Sequence, residues 1–119
     1  HIARSIYRLL TYARDEALSD AQLAAIAGEQ DAGANPADAA TLASDAVTAI
    51  HRAIDAMREV PPERYFDARG VGRRRLPTNV LGLLVHTAEH TQRHVGAIIA
   101  TAKVVRARGE GGRAGHAPG

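Results

Sequence analysis

Apolar side chains recur at steps of three and four along three stretches of the chain, the spacing of one face of an α-helix. Ile2, Ile6, Leu9, Leu10 and Ala13 predict a helix from His1 to about Arg14, with Ser5 and the arginines at 4, 8 and 14 mostly off that stripe. Ala43, Val47, Ile50, Ile54 and Met57 predict a second, from about Pro36 to Glu59, with Asn35 and Pro36 as cap and first-turn residue and Pro61–Pro62 as its stop. A third long helix is expected to open at Pro77–Thr78 and continue to Arg108. Between the first two, Ser19–Asp20 can cap a short helical piece that Gly28 ends, and Gly28, Asp31, Gly33, Asn35 and Pro36 read as a loop. Residues 61 to 77 have no clear period and read as a loop, with room for a short hairpin across Tyr65 to Val71. Gly109 opens a glycine-rich tail over 109–119, which is expected to stay flexible.

Composition narrows the fold class to all-α. The 119 residues suffice for one domain, placed at 1–108, and much of the 45% apolar content is alanine. Aromatic residues are only 3% of the chain, so the core must be aliphatic and strands are disfavoured. Three helices of small side chains make a marginal core; a fourth helix, upstream of His1, would complete an up-down bundle. The chain opens on His1 in what reads as mid-helix, which is the ground for expecting that missing helix.

Charge and cysteine content exclude several functions. A net charge of +2 with dispersed basic residues gives no footprint for nucleic acid or an anionic membrane. No run of 18 apolar residues exists, and no signal-peptide pattern opens the chain, so a cytoplasmic protein is expected. The absence of cysteine removes disulfides, thiolate ligands and thiol nucleophiles together. Apolar faces left over on an alanine-rich bundle leave a homodimer open.

Candidate chemistry concentrates in Leu83 to Gly96. His90 and His94, four apart on a helix, stack on the face that also carries Leu83, Thr87, Ala97, Ile98 and Thr101. Two neutral imidazoles at this spacing can chelate one divalent cation, whereas two buried histidines without partners would be costly. Such pairs also occur as surface or hydrogen-bonded core residues, and metal binding needs at least a third ligand, for which His1 is the leading candidate. His86 is a second-shell or rim group, a ligand, or a surface residue; His51 is expected on the surface and His116 in the tail. Glu89, the nearest acid, points to the side, so no general base stands beside the pair.

His1-Ile2-Ala3-Arg4 resembles the middle of the second helix in the DinB-like (DinB/YfiT) superfamily of metalloenzyme-like proteins. Glu89-His90-Thr91-Gln92-Arg93-His94-Val95-Gly96 resembles that superfamily's last-helix signature, and Pro77–Thr78 its lead-in. The resemblance covers nearly all of residues 1–108, although only the two histidine motifs are distinctive. It implies a four-helix bundle whose first helix precedes His1, with His1, His90 and His94 as metal ligands. Two positions depart from the pattern: Ala97 stands where the family often has glutamine, and Gly96 where the ergothioneine-synthase relatives place an acid. An iron-dependent sulfoxide synthase is therefore not expected.

By the same resemblance, the chain is expected to act on a small molecule as a metal- and thiol-dependent S-transferase or isomerase, using a low-molecular-weight thiol. Arg73, Arg74 and Arg75 would then bind the thiol's carboxylates, or else form a solvated basic loop. A non-catalytic metal-binding stress or sensing protein is the alternative, and a bundle whose histidines have lost the ion is a third. An all-histidine donor set accepts zinc, nickel, iron or copper; zinc or nickel is the expected occupant.

Overall fold

The computed structural model describes residues 1–29 and 37–114, with side chains to residue 109. The chain divides into two compact units, His1–Ala88 and Glu89–Gly119. Its elements are helices α1 (Ile2–Ala13), α2 (Asp20–Gly28) and α3 (Ala39–Glu59), a 3-10 turn at Pro62–Arg64, strands β1 (Ala68–Val71) and β2 (Leu76–Asn79), and helix α4 (Val80–Ala114). The fold is mostly helical with one small antiparallel sheet, which amends the expectation of an all-α chain.

The core of the first unit forms where α1 meets α3. Ile6 and Leu10 pack on Ala49 and Ala53, flanked by Ile2, Ala3, Tyr7, Ile50, Ala56 and Met57. The stripe expected on α3 is therefore rotated: Val47 is 51% and Ile54 41% exposed, while Ala49 is wholly buried. Small side chains on α3 let the bulky residues of α1 approach its backbone closely, and dense packing of this kind stabilises a core. The guanidinium of Arg52 lies 5.9 Å from the centre of the Tyr7 ring, on the edge of the same contact.

Helix α1 ends in a Schellman arrangement, with Asp15 N–H donating to Tyr12 and Glu16 N–H to Thr11. Asp15 occupies the left-handed position, at φ 60°, where glycine is usual. Asp15→Gly should raise stability by about 0.5–1 kcal/mol, because a side chain is strained there and glycine is not. A urea unfolding curve checks this, and a loss of stability would contradict it. Ser19 caps α2 as expected, in a capping box with Gln22. Asp38 caps α3, and its carboxyl is held below the usual range by the Thr41 backbone N–H. That helix starts at Ala39; the expected Asn35–Pro36 cap and first turn, and most of the expected 28–36 loop, lie outside the described residues.

The hairpin sits later in the chain than expected. Ala68 pairs with Asn79 and Val71 with Leu76, so Gly72 to Arg75 form the turn. Gly72 at φ 74° and Arg75 at φ 44° supply the positive dihedrals, and Arg75 N–H closes the turn on Gly72. Pro77–Thr78 therefore belongs to β2 and does not open a helix. Asn79 caps α4 instead, accepting from Gly82 N–H at 2.7 Å. A Cβ on Gly82 would lie 2.6 Å from Thr78 Oγ1, which explains a glycine in this first turn. Val80 and Leu81 N–H donate to Asp67 and Tyr65, so the hairpin's approach satisfies two more of the helix's free donors. Val80, Leu83, Leu84 and Thr87 are buried, and α4 runs to Ala114, past the expected end at Arg108. Among the described residues, no helix is long and apolar enough to cross a membrane.

Candidate metal centre

His90 and His94 stand one turn apart on α4, as a four-residue step on a helix requires. Their ring centroids are 4.5 Å apart with planes inclined at 70°, so the rings meet edge to face. Both are half-buried, as is Thr91 between them. The helix face that carries them is buried at Leu83 and Thr87 and exposed at Ala97, Ile98 and Thr101. The expected inward direction thus holds for its first part only. Glu89 is exposed and pairs with Arg93 one turn on.

His1 precedes the first turn of α1. Its Nδ1 lies 3.0 Å from Glu29 Oε2, at the end of α2, and its Nε2 lies 3.0 Å from Ser5 Oγ. Arg8 reaches both neighbours, donating to Glu29 Oε1 at 2.7 Å and to Ser5 Oγ at 3.1 Å. Ser5 is buried, not off the apolar face as its place outside the α1 stripe suggested. Sequence reasoning missed Ser5, Arg8 and Glu29. The first two are visible only as polar residues one and two helical turns beyond His1, and nothing in the local pattern points to Glu29. Among the described residues, no buried side-chain nitrogen or oxygen lacks a hydrogen-bond partner.

His1, His90 and His94 are a group that could hold a metal ion. An all-histidine donor set accepts zinc, nickel, iron or copper. His86 is exposed and stands outside this group. Arg73, Arg74 and Arg75 occupy the exposed hairpin turn, where Arg75 faces Asp15 at 3.5 Å. His51 is exposed on α3, and His116 lies outside the described residues. A recess of about 340 Å³ in the first unit is lined chiefly by Leu10, Ala56, Val80 and Leu84, with Arg14 and Arg69 at its polar margin. No histidine lines it. Comparison with models of protein families, with curated proteins and with solved structures gives no match.

Proposed function

We propose that the chain is a divalent-metal-binding protein of DinB-like type, with His1, His90 and His94 as ligands and α1, α3 and α4 as three members of a four-helix up-down bundle. The imidazole pair one turn apart on α4, with ring centroids 4.5 Å apart, carries this reading, and His1 joins it as the third donor the resemblance implies. Two neutral rings so placed can both give a lone pair to one cation, which needs at least a third donor. Zinc or nickel is the favoured ion. Once bound, it would supply Lewis acidity and a seat for a thiolate, the chemistry a thiol-dependent S-transferase or isomerase needs. On that reading Arg73 and Arg74, both exposed, are the cationic groups available to a thiol's carboxylates.

A second reading, a metal-binding stress or sensing protein without turnover, has its own support. The carboxylates of Glu29 and Glu89 are each held by an arginine, so both acids nearest the histidines are already engaged.

Elemental analysis of the purified full-length chain tests the shared claim. About one equivalent of metal is expected in the wild type and much less in His90→Ala and His94→Ala. Equal metal content in all three would overturn it. A panel of thiols and electrophiles, assayed with and without chelator, then separates enzyme from sensor.

A further inference from the structure

His1 is held from both sides by groups of its own unit. Glu29 accepts from Arg8 through Oε1 and faces His1 Nδ1 through Oε2. An ionised carboxylate can only accept, so Nδ1 of the neutral ring carries the proton. On the other side, Ser5 Oγ accepts from Arg8 and keeps its own proton to give, and His1 Nε2 is the lone pair within reach at 3.0 Å. Four side chains therefore close a ring of hydrogen bonds that one tautomer of His1 satisfies.

We infer that Glu29, steadied by Arg8, is a positioning residue that fixes His1 as the Nδ1–H tautomer and presents Nε2 to the metal ion. This rests on the metal-binding reading above. A ligating histidine gains basicity and a fixed ring orientation when its second nitrogen donates to a carboxylate. Glu29 faces Nδ1, which leaves Nε2 as the nitrogen the ring can give to an ion. The Ser5 hydroxyl holds the Nε2 lone pair in the metal-free protein and yields it to the ion. Arg8 holds the carboxylate in place, with both partners about 16% exposed.

Two measurements on the full-length chain decide this. Long-range nitrogen–proton correlation spectra of the metal-free protein should show His1 as Nδ1–H, and Glu29→Ala should convert it to a mixture containing Nε2–H. Zinc titration against a competing chelator should show Glu29→Ala binding about 10- to 100-fold more weakly. Glu29→Gln, which keeps an acceptor oxygen, should lose less. Wild-type zinc affinity in Glu29→Ala, or an Nε2–H ring in the wild type, would overturn the inference. If Glu29→Ala does not fold, the wild-type tautomer and the Glu29→Gln affinity still decide. A wild type that takes up no zinc defeats the metal reading, and the tautomer spectrum then judges the hydrogen-bond ring alone.

Discussion

Zinc at about 100 times its dissociation constant should raise the unfolding free energy of the metal-free, full-length protein by about 2.7 kcal/mol, and His94→Ala should abolish that gain. The reason is linkage: an ion that takes three histidines as ligands, as proposed, binds the folded chain far better than the unfolded one, where the rings are dispersed. His90 and His94 stay one turn apart in any helical state, so an isolated α4 already offers two donors. On the proposed reading His1 is the donor remote in sequence, and its recruitment is what would tie binding to folding. For a chain of this size the gain corresponds to an upward shift in Tm of about 10 °C. Thermal unfolding followed by circular dichroism, with and without zinc, checks it. An identical shift in His94→Ala would mean that the ion binds elsewhere, and no shift in the wild type would contradict the site.

Ile6→Ala should cost about 4 kcal/mol, a large share of the roughly 5–15 kcal/mol that holds a small domain folded. Ile6 is 1% exposed, and its partners across the helix contact are Ala49 and Ala53. Alanine has no rotamer with which to fill a vacated space, so the cavity persists and the penalty falls in the upper part of the usual range. Ile6→Val removes one methylene and should cost about 1 kcal/mol, a graded comparison if the alanine variant fails to fold. Leu42→Ala, at a position 54% exposed, should cost well under 1 kcal/mol. Urea unfolding of the three variants gives the ranking; an Ile6→Ala loss no larger than that of Leu42→Ala would contradict the α1–α3 core.

Helices α1 and α3 were legible because their apolar periods are strong, and Ser19 announced its own cap. The face of α3 was not. Hydrophobic weight lies with Val47 and Ile54, whereas packing chose Ala49 and Ala53, whose helical spacing shows only when small size, not hydrophobicity, is read as the signal. Pro77 misled in another way. A proline is favoured in the first turn of a helix but is also tolerated in an edge strand, and pairing with Gly70 across the hairpin decided between them. For the candidate centre, the i, i+4 pair on α4 was readable from spacing alone. His1 was the leading third donor as a histidine on another predicted helix, and resemblance to a known pattern supported the choice. Glu29 and Arg8 could not be read at all, since their meeting across 21 positions depends on how α2 returns along α1.

The manner in which α2 is attached has a mechanical consequence. None of its side chains is fully buried. Gln22 is fastened to Thr11 near one end, and Glu29 to Arg8 and His1 just past the other. A segment pinned by polar rivets, with little grease beneath it, detaches at small cost compared with the global unfolding of the domain. Its backbone amides should therefore be among the first in this unit to trade hydrogen with the solvent, and a tighter grip on His1 would slow that trade a whole helix away.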